Sequence, residues 1–277
     1  MATKTATPLR PEQQASLPGI EPAPAEEAPK PMGLTGVVRA PAIRPPRILL
    51  YGIHGIGKTT FGTQAPSPIF LCTEDGADNL EVDRWPKIES RKEVLDALRV
   101  LVKEPHDYRT VVIDSVDWLE EFILAELKLE FSAKDLSYGK DMMHSEEKMY
   151  QVLQALNYLR DRRQMGIVLI AHSEIRRFDS PLTEPYDRYQ PKLDRRNSAL
   201  LQEWADAVLF TTYDISVKRE DVGFNREVRR GVTTGDRLMY TSEHPGYYAK
   251  NRYALPPELP LNFAELAKHI PYYSEQR

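Results

Sequence analysis

Short apolar runs recur along the chain from residue 47 onward. Each run spans four to six residues and is followed by polar or glycine-containing sequence. Runs of this length, rich in Ile, Val and Leu, are typical of strands that are buried on both faces of a parallel sheet. We predict such strands at 47–51, 69–73, 110–114, 166–171 and 207–210.

Amphipathic stretches with a helical repeat lie between these runs. Within residues 90–103, Val94, Leu95 and Leu98 share one face of a helix. Further helices are predicted through 118–127, at 146–164, at 199–204 and, as a short terminal helix, at 261–270. This alternation predicts an α/β fold with a mostly parallel central sheet flanked by helices.

The alternation is interrupted in the second half of the chain. Residues 132–145 look irregular, and residues 174–198 form a long polar stretch, which in a compact domain is usually a functional or mobile loop. Residues 227–232 and 237–241 flank the sequence Thr-Thr-Gly-Asp at 233–236. This pattern favours a late β-hairpin with its turn at that sequence.

The first 46 residues differ in composition from the rest of the chain. They contain ten of the 22 prolines and show neither helical nor strand periodicity. Such a segment buries too little apolar surface to offset the entropy lost on folding. We expect residues 1–46 to be a disordered, proline-rich N-terminal tail, and residues 47–277 to form the folded domain. A linear motif for a partner could lie in the tail.

The overall composition excludes several classes of protein. With a net charge of -4, any nucleic-acid contact must come from local basic segments. The single cysteine, Cys72, excludes an internal disulfide and fits a reducing cytoplasm. No apolar run approaches the roughly 18 residues of a membrane span, and no secretory leader is recognisable. We expect a cytoplasmic protein without membrane contact.

A glycine-rich sequence joins the first predicted strand to a helix. Gly52 and, after four residues, Gly57, Lys58 and Thr59 match the Walker A pattern of a P-loop. In such a loop the backbone N–H groups surround the phosphates, the lysine reaches the β- and γ-phosphates, and the threonine hydroxyl binds Mg²⁺. We predict ATP and Mg²⁺ as ligands, with nucleotide contacts from Gly52, Ile53, His54, Gly55, Ile56, Gly57, Lys58, Thr59 and Thr60.

Asp114 ends the apolar run at 110–114, which is the position of a Walker B acid. A carboxylate there can hold Mg²⁺ together with Thr59. Alternatively, Asp114 caps the following helix, because aspartate is a good N-cap residue. Asp117, one turn later, is a competing acid. The Walker A match favours Thr59 and Asp114 as the metal ligands.

Two more polar residues, Glu74 and His172, follow apolar runs. Because the carboxyl ends of parallel strands meet at one edge of a sheet, both should face the crevice that holds Lys58. Glu74 could orient and deprotonate the attacking water, although a solvated turn is the alternative. His172 could sense the γ-phosphate and signal to residues 174–198, although a lone histidine is more often structural. We predict Glu74, Lys58 and His172 as catalytic residues.

Several features in chain order resemble the RecA-type P-loop ATPase core: the Walker A loop, Glu74, Asp114, His172, and the basic sequence Lys250, Asn251 and Arg252. More narrowly, the chain resembles the short phage RecA-like proteins of single-strand annealing and recombination. The resemblance covers roughly residues 47–270 and implies that Glu74 is the catalytic glutamate. It also implies that Lys250 and Arg252 act as catalytic residues on the ATP of a neighbouring subunit, in a filament or ring. Taken without the resemblance, Lys250 and Arg252 belong to a solvated turn.

The same resemblance implies that residues 132–145 and 174–198 contact single-stranded DNA. The second segment mixes basic and aromatic side chains, which suit phosphate contact and base stacking. It also contains acids, so a solvated mobile loop fits its composition equally well. The candidate DNA-binding residues are Arg176, Arg177, Phe178, Arg188, Tyr189, Lys192, Arg195 and Arg196.

These inferences predict an ATPase, stimulated by DNA, that binds single-stranded DNA and promotes annealing or homologous recombination, in the host cytoplasm if a phage encodes it. The alternative is a nucleotide-switched assembly or helicase-loading protein in DNA replication. In either case the N-terminal tail could bind a replication partner or a single-strand binding protein. A small-molecule kinase with residues 174–198 as its lid is disfavoured by the RecA-like order of the motifs.

Overall fold

The structure is a computed structural model that describes residues 43–76, 79–221 and 227–274, with the backbone alone for 215–221 and 227–233. These residues all belong to one compact unit, Ile43–Arg277. Of the predicted tail, residues 1–42 lie outside the described part of the chain. None of the described helices is both long and apolar enough to cross a membrane.

Strands and helices alternate through the first two thirds of the unit, and short strands and helices complete it. The elements are β1 (Arg47–Gly52), α1 (Lys58–Thr63), β2 (Pro68–Cys72), α2 (Arg91–Lys103), β3 (Thr110–Asp114), α3 (Val116–Glu130), α4 (Lys140–Arg162), β4 (Gly166–Phe178), β5 (Tyr186–Pro191), α5 (Arg195–Trp204), β6 (Ala207–Asp221), β7 (Glu227–Tyr240), β8 (Lys250–Asn251), β9 (Glu258–Pro260), α6 (Phe263–Ala267) and α7 (Pro271–Ser274).

The described strands form one sheet in the order β2-β3-β4-β1-β6-β7-β9, with β5 paired to β4 and β8 paired to β6. The pairs β2–β3, β3–β4, β4–β1 and β1–β6 are parallel. All of β3, and all of β1 after Arg47, are buried. Continuous burial explains why these strands read as unbroken apolar runs. The predicted α/β fold with a mostly parallel sheet and flanking helices is confirmed.

The helices follow the predicted apolar faces, with small changes at their ends. In α2, Val94, Leu95 and Leu98 are buried as predicted. The helix begins after Ser90, whose hydroxyl accepts a hydrogen bond from the backbone N–H of Glu93 and so satisfies a donor that has no partner within the helix. The long helix α4 starts earlier than the sequence indicates, within the stretch predicted to be irregular.

The predicted late hairpin is present, but its turn is not at residues 233–236. Those residues lie within β7, which pairs antiparallel with β6. The chain between the two strands, residues 222–226, lies outside the described residues. A late antiparallel hairpin is therefore confirmed, but the predicted pairing of 227–232 with 237–241 was wrong, because both segments, up to Tyr240, belong to β7 and pair with β6.

A β-bulge in β7 replaces the predicted turn. Tyr213 pairs with Arg237, and Ile215 pairs with Thr233, so one residue of β6 lies opposite three residues of β7. Gly235, within the bulge, has a φ of 87°, a conformation that glycine adopts without steric cost. Polar, glycine-containing sequence suits a bulge as well as a turn, so the local pattern could not separate the two.

Residues 174–198, predicted to be a long loop, are mostly regular. β4 continues to Phe178, and β5 pairs antiparallel with this extension, with Ser173 opposite Pro191 and Phe178 opposite Tyr186. Side chains on the extension are alternately half-buried and exposed. A hairpin with so little buried surface needs no apolar run, which is why the sequence pattern did not indicate it.

Candidate active site

The loop between β1 and α1 closes over the carboxyl end of the sheet. A Cβ atom on Gly52 would lie 2.2 Å from the carbonyl oxygen of Thr211, so β1 can approach β6 this closely only with glycine there. Gly57 has a φ of 104°, which also favours glycine. The glycines of the motif therefore meet backbone requirements of this loop.

Lys58 is folded back onto the loop that precedes it. Its Nζ donates hydrogen bonds to the carbonyl oxygens of Gly52 at 3.1 Å and of Ile53 at 2.9 Å. Burial lowers the pKa of Lys58, and the nearby Asp114 carboxylate acts in the opposite direction. The ammonium group is thus held at the centre of the loop, where anionic oxygens of a ligand could replace the two carbonyl oxygens.

Asp114 and Thr59 are in direct contact. The hydroxyl of Thr59 donates a hydrogen bond to Oδ2 of Asp114 at 2.6 Å. Asp114 is the last residue of β3, and Ser115 occupies the N-cap position of α3. Burial raises the pKa of Asp114, against the hydrogen bond from Thr59, which lowers it. Asp114 therefore does not cap the helix and presents a buried carboxylate beside the hydroxyl.

Glu74 follows β2, the strand that pairs with β3, and its side chain borders the same crevice as Thr59 and Asp114. A Cβ atom on Gly76 would lie 3.8 Å from Oε1 of Glu74 and 3.9 Å from Oγ1 of Thr59, so both groups border one point at the rim of the crevice. Burial raises the pKa of Glu74, while the charge of His172 opposes this rise. A half-buried carboxyl group with a raised pKa is more basic than a solvated one.

His172 is held by two hydrogen bonds with Asp117. Its backbone N–H donates to Oδ1 of Asp117 at 3.0 Å, and its Nδ1 lies 2.8 Å from Oδ2. The carboxylate keeps a hydrogen on Nδ1, and Nε2 lies 3.8 Å from Oε1 of Glu74. The ring of His54 stacks on that of His172, with centroids 4.0 Å apart. His172 is thus fixed with one nitrogen facing Glu74.

Asp117 was weighed from the sequence only as a competing metal ligand, and its contact with His172 was missed. Burial acts to raise the pKa of Asp117, but the hydrogen bonds from His172 outweigh it and hold the pKa below its usual range. The charge of His172 lowers the pKa of His54. The sequence around Asp117, in the first turn of α3, does not indicate that its partner is a histidine on β4.

Lys250 and Arg252 lie at the other end of the sheet from the loop. Lys250 pairs with Val208 on β6, whereas Gly52 pairs with Thr211. Three residues of strand, roughly 10 Å, separate the two levels. Within one chain, the structure therefore does not bring these two basic residues to Lys58.

Both basic residues have partners at that end. Nζ of Lys250 donates to the carbonyl oxygens of Gln202 and Glu203, at the end of α5, and of Ala205, its C-cap residue, at 2.7–2.8 Å. These carbonyls have no partner within the helix. Arg252 Nη1 lies 3.2 Å from Oδ1 of Asp206.

The predicted DNA-binding residues divide into packed and accessible groups. The guanidinium of Arg188 stacks over the ring of Phe178 at 4.0 Å and pairs with Glu243 at 2.9 Å. The ring of Tyr189 stacks on Phe210, with centroids 5.0 Å apart. Arg188 and Tyr189 therefore contribute to packing between the β4–β5 hairpin and the rest of the domain, whereas Phe178 packs within the hairpin.

The accessible candidates lie on the hairpin and around α5. Arg177, Lys192, Arg195 and Arg196 are exposed. A cavity of about 440 Å³ between the hairpin and α5 is lined by Arg176, Arg177, Arg188 and Arg195 together with Asp179. The structure therefore brings five of the eight candidates, Phe178 among them, around one basic groove, outside the crevice that contains Lys58.

Comparison with known families agrees with this arrangement. A family model described as AAA domain matches residues 44–253, which is more than half of the chain and includes the glycine-rich loop, Glu74, Asp114 and His172. Among curated proteins, none matches the chain. The loop that joins a buried parallel strand to a helix, with a buried acid at the end of another strand, is the arrangement expected of a P-loop ATPase. The chain therefore belongs to the AAA domain family of P-loop ATPases.

Proposed function

We propose that this chain binds ATP with Mg²⁺ and hydrolyses the bond between the β- and γ-phosphates. The convergence of Lys58, Thr59, Asp114 and Glu74 at one edge of the sheet is the observation that carries the proposal. Lys58 would exchange its two carbonyl partners for phosphate oxygens. Groups that come from three separate segments, α1, the end of β3 and the residues after β2, meet only in the folded chain, which is typical of an active site on a parallel sheet.

The residues present fit Mg²⁺ held together with a nucleotide. No group of three or more His, Cys, Asp or Glu side chains in the described part of the chain is arranged to hold a metal by itself. The hydroxyl of Thr59 and the carboxylate of Asp114, with phosphate oxygens and water, suit the few protein ligands that Mg²⁺ takes. Bound Mg²⁺ neutralises negative charge on the phosphates.

In this proposal Glu74 accepts the proton of the attacking water. Burial raises its pKa, which makes the carboxylate a stronger base than a solvated glutamate. The imidazole of His172, held by Asp117, keeps Nε2 directed towards Glu74. His172 would thereby hold the carboxylate in position and respond to an occupied site.

We further propose that ATP controls the β4–β5 hairpin and that the hairpin binds single-stranded DNA. β4 runs without a break from the core through His172 to Phe178, so a shift at His172 would be carried along one strand to the hairpin. The basic groove formed by Arg176, Arg177 and Arg195 offers contacts for phosphates. The function proposed on this basis is that of a RecA-like phage protein of annealing or recombination, acting in the host cytoplasm.

We also propose that neighbouring subunits share their ATP sites in a filament or ring. Of the two basic residues that resemble the shared contact, Arg252 is the more available, because its side chain is 52% exposed. Lys250 is bound to three carbonyl oxygens of its own chain. Mixing inactive Lys58→Ala and Arg252→Ala proteins should restore part of the ATPase activity. A mixture as inactive as its components would contradict shared sites.

ATP hydrolysis measured with and without single-stranded DNA tests the proposed function. We expect Mg²⁺-dependent hydrolysis by the wild type, stimulation by DNA, and loss of hydrolysis in Lys58→Ala but not in the matched surface variant Lys103→Ala. Stimulation should disappear when Arg177 and Arg195 are both replaced by alanine. A hydrolysis rate that DNA does not change, with no DNA binding when ATP is present, would contradict the DNA part of the proposal and favour the nucleotide-switched assembly or loading function.

A further inference from the structure

Arg237, on β7, lies against the P-loop from the side away from the acids. A Cβ atom on Gly57 would lie 2.8 Å from Nη1 of Arg237 and 3.8 Å from Cδ2 of Leu261. Gly57 immediately precedes Lys58, so the guanidinium is beside the part of the loop expected to hold phosphates. Neither the sequence motifs nor the site described above accounts for this arginine.

The guanidinium of Arg237 has no protein partner among the side chains that the structure describes, although its backbone is fixed. The carbonyl oxygen of Arg237 accepts a hydrogen bond from the backbone N–H of Leu261 at 2.9 Å, and the residue pairs with Tyr213 of β6. The side chain itself is exposed. A cation on a fixed backbone, exposed beside an anion-binding loop, has its donors available for a ligand.

The bulge in β7 explains how this side chain comes to face the loop. Arg237 is the first residue paired in register after the bulge, which contains Gly235. A bulge changes the direction of a strand and the direction of the side chains that follow it. The sequence Thr-Thr-Gly-Asp at 233–236 therefore orients the side chain of Arg237 towards the P-loop and does not form a turn.

The sheet order separates this arginine from the groups proposed to act on the γ-phosphate. β4, β3 and β2, which precede or carry His172, Asp114 and Glu74, lie on one side of β1, whereas β6 and β7 lie on the other. The groups proposed to act on the γ-phosphate and Mg²⁺ thus lie on one flank of the P-loop. Arg237 is on the opposite flank, where the phosphates nearer the nucleoside would lie.

We propose that Arg237 binds the non-terminal phosphates of the nucleotide in its own subunit. This inference rests on the proposed binding of ATP by the P-loop. A guanidinium can donate two parallel hydrogen bonds to phosphate oxygens. Since ATP and ADP share these phosphates, Arg237 strengthens the binding of both nucleotides equally and does not distinguish them.

Calorimetric titration of Mg·ATP and of ADP into the full-length protein tests the assignment. The variants are Arg237→Ala, Arg237→Lys and the control Arg162→Ala, an exposed arginine at the end of α4. We expect Arg237→Ala to weaken both nucleotides by the same factor, roughly ten- to a hundredfold. Arg237→Lys should recover part of the loss, and Arg162→Ala should bind as the wild type does. The melting temperature of the nucleotide-free protein should be the same for all four.

The outcomes separate this inference from the function on which it rests. If the wild type binds neither nucleotide, the proposed ATP binding itself fails. If the wild type binds both and Arg237→Ala binds them equally well, the role of Arg237 is wrong while ATP binding stands. A loss confined to ATP would place the guanidinium at the γ-phosphate and would also overturn the assignment.

Discussion

The two ends of the central strands each contain a buried aspartate, but the partners of the two carboxylates differ. At the amino end, the carboxylate of Asp206 pairs with Arg47 at 2.8 Å, with Arg160 at 3.2 Å and with Arg252 at 3.2 Å. At the carboxyl end, the side-chain carboxylate of Asp114 accepts a hydrogen bond from the neutral hydroxyl of Thr59. At the amino end the carboxylate is paired with three arginines of its own chain, whereas at the carboxyl end none of the described ion pairs holds Asp114, whose charge a bound cation could neutralise.

The pKa values of these carboxyl groups reflect the difference. Burial acts to raise the pKa of Asp206, but the hydrogen bonds and charge of Arg47 outweigh it, and the pKa lies below its usual range. Burial raises the pKa of Asp114 and of Glu74, and their partners do not reverse the rise. A buried acid with a raised pKa destabilises the fold when ionised, and acids of this kind cluster at functional sites. The comparison separates a structural cluster from a candidate active site.

The largest expected effect on stability is at the amino end. We expect Asp206→Asn to lower the free energy of unfolding by about 3–5 kcal/mol, because it leaves Arg47 and Arg160 buried without a counter-charge. Chemical denaturation of the nucleotide-free protein measures this. The matched control is Asp161→Asn, since Asp161 is exposed at the same end and should change stability by less than about 0.5 kcal/mol. Equal stabilities for the two variants would contradict the structural role of Asp206.

At the carboxyl end, Asp114→Asn should have the opposite profile. Without nucleotide we expect its stability to equal or exceed that of the wild type, because a buried charge is removed and an amide oxygen can still accept from Thr59. With Mg·ATP at about 100 times the dissociation constant, the wild type should gain about 2.7 kcal/mol, and Asp114→Asn should gain far less. Thermal melts with and without Mg·ATP measure both. A full ligand-induced gain in Asp114→Asn would contradict the metal role.

The pH dependence of stability should differ in sign between the two ends. The pKa of Asp206 is lowered by folding, so its stabilising contribution is present above the pKa of the unfolded chain and is lost as the pH falls through the folded pKa. The pKa of Asp114 is raised, so its contribution becomes more favourable as the pH falls through that pKa. A tenfold change in an acid dissociation constant on folding corresponds to about 1.4 kcal/mol of stability.

Denaturation of the wild type, Asp206→Asn and Asp114→Asn between pH 3 and pH 7 would check these signs. We expect Asp206→Asn to lose less stability on acidification than the wild type loses, and Asp114→Asn to lose more. Parallel curves for all three proteins would mean that neither carboxyl group changes its pKa on folding.

The smallest expected effect is at Lys250. Its ammonium group binds carbonyls at the end of α5, so Lys250→Met should destabilise the nucleotide-free protein by about 1 kcal/mol. Lys103→Met, at an exposed position in the last turn of α2, is the control. Equal stabilities of the two variants would contradict a structural role for Lys250 and would favour its contact with a neighbouring subunit.

Local patterns were sufficient to predict the parallel strands and the P-loop. Buried strands such as β1 and β3 have apolar residues at successive positions, and the Walker A spacing is contained within eight residues. The convergence of Glu74, Asp114 and His172 followed from a general property of parallel sheets, since the carboxyl ends of their strands share one edge. These features depend on short-range sequence or on fold class alone.

The remaining features depend on contacts between distant segments. The pairing of His172 with Asp117 joins β4 to α3 across 55 positions, and no periodicity marks either residue. The bulge before Arg237 exists only because β6 holds the register on both sides of it. The β4–β5 hairpin is stabilised by stacking such as that of Tyr189 on Phe210, which a polar sequence does not reveal.

The proposed role of Glu74 is tested most directly by comparing binding and hydrolysis of ATP in Glu74→Gln. We predict that this variant binds Mg·ATP with a dissociation constant close to that of the wild type, while single-turnover hydrolysis slows by at least about a hundredfold. Glu121→Gln, at an exposed position on α3, should match the wild type in both. Hydrolysis by Glu74→Gln at the wild-type rate would contradict the account.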